Sequence, residues 1–235
     1  MSLVVQNISV HLLGDKGLFH AVQDVSFEVA ESTIVDIVGP SGAGKSTLLH
    51  ALAHQMIDVS GDVLLRGVSM KDLSPQEWRS EVALVQQRPV LLPGTVRDNL
   101  LIPWTLRIRA HQQRPDDAHL QSALERAGLS GIALTRPCEQ LSVGQQARLA
   151  FVRTLLTEPS VLLLDEVDAA LDAHSTQLIG EMTSQFAQTS GIVVRVRHRE
   201  EDGLASMRIH MKAGRVITLD HQMADCELQS EVNDG

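Results

Sequence analysis

The chain has 235 residues, with 20 Lys and Arg against 29 Asp and Glu, giving a formal net charge of −9. That length suits one large domain, or one domain with an inserted lobe, and 43% apolar residues are enough for an ordinary globular core. The acidic balance argues against a general nucleic-acid binder, which carries a basic patch, and no stretch approaches the roughly 18 uninterrupted apolar residues of a membrane span. Cys138 and Cys226 lie far apart, form no C-x-x-C and read as reduced thiols. Residues 1–7 show no basic region leading into an apolar one, so no signal peptide is expected.

In chain order, residues 3–12 and 21–29 alternate apolar and polar side chains around the turn Gly14-Asp15-Lys16-Gly17, which predicts an antiparallel hairpin-like start. Residues 33–38 (TIVDIV) read as a buried strand. Asp36 is its one charged residue and needs a hydrogen-bond partner or a raised pKa.

This strand runs into Gly39-Pro40-Ser41-Gly42-Ala43-Gly44-Lys45-Ser46-Thr47, which fits the phosphate-cradling pattern G-x-x-x-x-G-K-[ST]. The glycines allow dihedrals and close approaches that a Cβ would block. Successive N–H groups then point into one concavity suited to an anion, and the next helix adds its positive N-terminal end. Lys45 would reach the terminal phosphates, and the Ser46 hydroxyl would ligate Mg²⁺. Leu48, Leu49, Leu52, Ala53 and Met56 recur at helical spacing after the loop.

Ser60-Gly61-Asp62 reads as a turn, followed by a short strand at 63–65 that Gly67 ends. Ser74-Pro75-Gln76-Glu77 has the form of a capping box with Pro at the first helical position. A strand at 82–85 leads to Gln86-Gln87-Arg88-Pro89. From about 90 to 158 helical spacing replaces strand patterns, as in a helical lobe inserted between strands. Thr95 would cap a helix that breaks near Pro103, and 118–127 is a second helix ended by Gly128.

Residues 161–164 form an apolar strand ending in Asp165-Glu166. Beside a phosphate loop, Asp165 would hold Mg²⁺ opposite Ser46, and Glu166 would polarise an attacking water. A helix at about 173–188, a strand at 192–196 and a hairpin of 207–211 with 215–219 around Ala213-Gly214 follow. From about 221 the chain is polar and acidic, without repeats or low-complexity segments.

Leu141-Ser142-Val143-Gly144-Gln145-Gln146-Ala147-Arg148 opens a helix at about 145–158 with a serine and a glycine, a second N-terminus suited to an anion. The chain supplies no second phosphate for it. Together with the phosphate loop and Asp165-Glu166, in that order, it resembles the nucleotide-binding domain of ABC transporters.

The resemblance spans nearly the whole chain. It implies an α/β P-loop NTPase core of ABC type with an N-terminal antiparallel β subdomain and an inserted helical lobe. One domain would cover 1–220, with the core at about 1–89 and 159–220, the lobe at about 90–158, and a tail at 221–235. It also implies Mg-ATP as the bound species. Gln87 resembles the glutamine that touches Mg²⁺ and senses the γ-phosphate, with Gln86 the adjacent alternative. His198 resembles the histidine that contacts the γ-phosphate. Without the resemblance, a single His among Arg195, Arg197 and Arg199 reads as exposed surface.

Ala170-Leu171-Asp172 resembles the loop that crosses to a partner subunit. Ser142, Gly144 and Gln145 would complete the ATP site of a second cassette in a head-to-tail dimer. A separate integral-membrane permease would be driven from its cytoplasmic face, with 88–109 near the surface that meets it. No nucleic-acid partner is implied. Within the family, Thr95-Val96-Arg97-Asp98-Asn99-Leu100-Leu101-Ile102-Pro103-Trp104 is similar to a segment of small bacterial cassettes associated with iron export.

Some positions depart from the family pattern. Val143 stands where a second glycine is usual, and a Cβ there is expected to crowd the partner's nucleotide. Asp168 stands where Ser or Thr is common. The chain has no Tyr, and the region that stacks adenine in relatives offers Val10, His11 or Leu12. Two alternatives to transport stay open at this point: a soluble ABC ATPase acting on nucleic acid or ribosomes, and a low-turnover nucleotide-binding regulatory module.

Overall fold

The computed structural model describes residues 2–14, 17–88, 90–197 and 202–221. In chain order its elements are β1 (Ser2–Gly14), β2 (Gly17–Ala30), β3 (Ile34–Val38), α1 (Lys45–Leu52), β4 (Val59–Leu65), β5 (Val68–Ser69), α2 (Pro75–Glu81), β6 (Val82–Val85), α3 (Val96–Leu101), α4 (Asp117–Arg126), α5 (Val143–Leu155), β7 (Val161–Asp165), α6 (Ala173–Gln188), β8 (Ile192–Val196), β9 (Met207–Lys212) and β10 (Arg215–His221).

The strands form two sheets. One is four-stranded and antiparallel, in the order β2-β1-β4-β5, with β1 and β2 joined from Ser2↔Ala30 to Gly14↔Gly17. The other has the order β10-β9-β3-β8-β7-β6 and is parallel except at its edge strand β10. Its interior strands β7 and β8 are buried along their whole length. Both are mostly apolar, as strands covered on both faces are, with Arg195 the one charge inside β8 and Asp165 ending β7.

One apolar cluster fills the space between the two sheets and includes α1 and Trp78, whose indole Nε1 donates to the Leu52 carbonyl at 2.8 Å. A second joins the opposite face of the parallel sheet to α3, α4, α5 and α6 through Leu100, Leu124, Phe151 and Ile179.

Local chemistry accounts for the helix ends. Ser74 and Glu77 make both halves of the capping box on α2, with Pro75 at the start. Thr95 and Asp98 do the same for α3, which ends at Leu101 and passes into a 3₁₀ turn, Ile102–Thr105, that carries Pro103. Buried Asn99 holds α3 in place by donating to the Leu92 carbonyl and accepting from the Leu92 amide, each at 2.9 Å.

The sequence misleads at Ser60-Gly61-Asp62. These residues are not a turn but lie inside β4, pairing with β1 across a register shift between Gln6 and Ser9. Gly61 has φ 88°, and a Cβ there would overlap the carbonyl of Asn7, so its glycine marks a bulge within the strand.

Asp36 finds its partner across the sheet. The β3–β8 register sets it opposite Arg195. Arg195 donates to it from Nε at 2.7 Å and from Nη2 at 3.0 Å, and also grips Asp202 at 2.9 and 3.1 Å. Arg195 and Arg197 are both buried. Breaking a buried pair from one side leaves an uncompensated charge. Asp36→Ala is therefore expected to cost about 3 kcal/mol, measured by urea unfolding.

Burial pushes the Asp202 carboxyl up, but the bonds from Arg195 outweigh it and hold the group below its ordinary value. A depressed carboxylate contributes stability that is complete above its unfolded value of about 4 and is lost as pH falls through the lower folded value. Asp202→Asn should flatten that acid limb in a pH series of unfolding free energies.

Candidate nucleotide site

β3, β6, β7 and β8 run parallel, so their C-terminal ends open on one edge of the sheet, where α/β proteins place their ligands. The phosphate loop leaves the end of β3. Gly39, Gly42 and Gly44 have φ of 151°, 77° and 93°. A Cβ on Gly39 would overlap the Met211 carbonyl oxygen of β9, and one on Gly44 would overlap the Ala21 carbonyl oxygen of β2. Two backbones from distant parts of the chain thus press on the loop from outside.

The terminal hairpin adds a direct tie that the sequence does not disclose. Gly214 donates to the Ala43 carbonyl at 3.1 Å, and Gln23 donates to the Gly214 carbonyl at 2.8 Å.

Lys45 opens α1 and is buried in the loop, where its Nζ donates to the carbonyls of Gly39 at 2.9 Å and Pro40 at 3.1 Å. Burial lowers its pKa, while Glu166 and Asp165 pull it back up. The next residue, Ser46, donates from Oγ to Asp165 Oδ1 at 2.8 Å. A hydroxyl and a carboxylate in contact beside a phosphate cradle are the hard oxygen donors that Mg²⁺ takes.

Glu166 has φ 50°, outside the common range for its type, and its amide donates to the Val196 carbonyl at 3.1 Å. Gln87, just past β6, donates from Nε2 to Glu166 Oε2 at 3.3 Å. The structure therefore brings Gly39 to Thr47, Asp165, Glu166 and Gln87 to one sheet edge. His198 lies outside the described residues.

Ser142, Gly144, Gln145 and Asp172 form a separate group. Ser142 caps α5 in a reciprocal box with Gln145, its amide donating to Gln145 Oε1 at 3.0 Å and its Oγ accepting from the Gln145 amide at 3.3 Å. Asp172 caps α6 and accepts from the Ser175 amide at 2.8 Å. Gly144 packs against this end, and a Cβ there would come 2.7 Å from Ser175 Oγ. Val143 is 61% exposed.

Of the residues expected to meet adenine, Val10 is fully buried and has no face to offer. His11 instead pairs with His20 across the hairpin, ring centroids 4.2 Å apart and tilted by 56°. His20 escapes sequence reading because its partnership depends on strand register. It precedes Ala21, the residue pressed on Gly44.

The family profile described as "ABC transporter" matches residues 22–169. The chain belongs to this family. It is an ABC ATPase cassette, and its fold agrees with solved cassettes. The dimeric MJ0796 structure, a bacterial ABC transporter cassette, superposes with TM-score 0.80 at 24% identity over 93% of this chain and 98% of that one. An Atm1-family ABC exporter with ATP bound superposes with TM-score 0.79 at 24% identity, over 94% of this chain and 39% of that one. In sequence, the cassette is 34% identical to Escherichia coli "Probable iron export ATP-binding protein FetA", over 92% of this chain and 90% of that protein. It is 37% identical to "Protein STAR1" of Oryza sativa, over 83% of this chain and 56% of that protein.

Because Gly44 combines a positive φ with a backbone contact, Gly44→Ala must displace either the loop or β2. The ATP affinity of this cassette should fall by about tenfold or more, roughly 1.4 kcal/mol, in a fluorescent-nucleotide titration.

Proposed function

We propose that this cassette is the ATP-hydrolysing subunit of a metal exporter, with iron the first candidate cargo, acting on a separate membrane-spanning permease. The observation that carries the catalytic part is the meeting of Ser46 with Asp165 and of Gln87 with Glu166 beside the phosphate loop. Lys45 holds the terminal phosphates by exchanging its carbonyl partners for phosphate oxygens. Ser46, Asp165 and Gln87 would hold Mg²⁺, which neutralises phosphate charge when bound. Glu166 polarises the attacking water, and His198 completes the γ-phosphate contacts.

Ser142, Gly144, Gln145 and Asp172 serve the ATP of a second copy arranged head to tail. In support, Ser142 and Val143 are exposed at the N-terminal end of α5, the positive end of the helix, which suits a phosphate. His11 with His20 would face the base.

The permease reading rests on similarity to cassettes and on a groove of about 880 Å³. Arg79, Pro103, Leu106, Ile108 and Arg153 line part of it, and Leu106 and Ile108 are exposed there. Among the described residues no helix is long and apolar enough to cross a membrane, so in this reading the cassette sits at the cytoplasmic face of the membrane through its permease. The cargo rests on the iron-export relative, which this chain matches across nearly the full length of both proteins.

Glu166→Gln is expected to bind ATP, lose turnover by about 100-fold or more, and accumulate as an ATP-bound dimer in size-exclusion chromatography. Turnover at the parent rate removes Glu166 from its role. Lys45→Ala should lose tight ATP binding. For the cargo, the cassette is purified from membranes with its bound permease and reconstituted. ATP-dependent movement of iron supports the reading, and transport of other cargo alone overturns that part.

A further inference from the structure

We propose that Arg197 and Asp168 are positioning residues for hydrolysis: their buried ion pair sets Glu166 against the strand end that leads into His198. Arg197 Nη2 donates to Asp168 Oδ2 at 3.1 Å, with both side chains buried or nearly so. One peptide earlier, the Val196 carbonyl accepts from the Glu166 amide at 3.1 Å. These two ties close a small ring: Glu166, Val167 and Asp168 on one segment, Arg197 and Val196 on the other. Glu166 sits in that ring at φ 50°, a conformation that its surroundings must hold in place.

The ring does not stand alone. Arg197 Nη1 lies 2.6 Å from Asp202 Oδ2 in an ion-pair contact, and Asp202 is gripped by Arg195, which in turn holds Asp36. Asp36 belongs to β3, the strand that runs into Gly39. One charge network thus joins three strand ends: those entering the phosphate loop, Glu166 and His198. A void of about 20 Å³, with Asp168, Arg195, Arg197 and Asp202 in its lining, leaves space for roughly one water among the charges.

Burying four ionised groups, Asp36, Asp168, Arg195 and Arg197, is a poor way to gain stability, since apolar residues of similar volume do as well or better. Directional ion pairs instead specify geometry, as the shell behind a reacting group must. Neither Arg197 nor Asp168 reaches substrate in this scheme; both act through Glu166.

This inference rests on the role given above to Glu166, so Glu166→Gln is measured alongside. Asp168→Asn, Arg197→Gln and the double variant are compared for ATP hydrolysis per bound nucleotide, ATP dissociation constant and thermal midpoint, with Asp168→Ser as a second route should the near-isosteric change not fold. The expected result is a fall in kcat of about tenfold or more in each single variant, with ATP affinity within about threefold, and a double variant no slower than the worse single.

The inference is overturned by kcat within about twofold of the parent in folded variants, by affinity falling as much as kcat, or by losses that multiply in the double variant. If Glu166→Gln itself keeps parental turnover, the catalytic reading and this inference both fall. If Glu166→Gln is inactive while Asp168→Asn is as fast as the parent, only this inference falls.

Discussion

The backbone of the phosphate loop is held where no side chain fits. Met211 presses on Gly39 and Ala21 presses on Gly44, so the loop is confined between a strand near the start of the chain and one near its end. A polyphosphate needs amides aimed at it before it arrives, because reorienting dipoles on binding costs free energy. Confinement provides that alignment. It also explains why the antiparallel sheet is present: β2 covers the loop as well as extending the core.

Charge is arranged in two tiers around that confined loop. At the mouth, Lys45, Asp165 and Glu166 face the space a nucleotide would enter, each with polar neighbours it can exchange. Beneath, Asp36, Arg195, Arg197 and Asp168 are paired and shielded from water, with Asp202 joining them from the solvent side. The groups at the mouth hold partners that a ligand could replace, and those beneath hold partners of opposite charge. Pairs of the second kind resist salt far more than exposed pairs do.

What sequence alone discloses is whatever short-range chemistry dictates. The phosphate loop, the caps at Ser74, Thr95 and Ser142, the bounds of α6 and the two acids ending β7 all follow from residues within a few positions of one another. What stays hidden depends on which strands become neighbours. Asp36 is an anomaly until β8 is seen beside β3. Arg197 looks like surface until Asp168 is found against it. Gly61 resembles a turn because a glycine at positive φ serves a turn and a bulge alike. His20 and Gly214 carry no local pattern, and their places beside the loop come from pairing and packing across long stretches of chain.

The order β9-β3-β8 has a consequence for how the molecule is made. β3 ends at Val38, yet its two hydrogen-bonded neighbours begin only at Ile192 and Met207. A ribosome therefore delivers the loop strand long before either flank exists, and parallel pairing across so much chain is slow to form. Until those late strands emerge, an apolar ribbon with two open edges waits in the nascent chain, the kind of surface that invites wrong partners. The central part of this sheet therefore cannot close until Ile192–Val196 and Met207–Lys212 have joined β3.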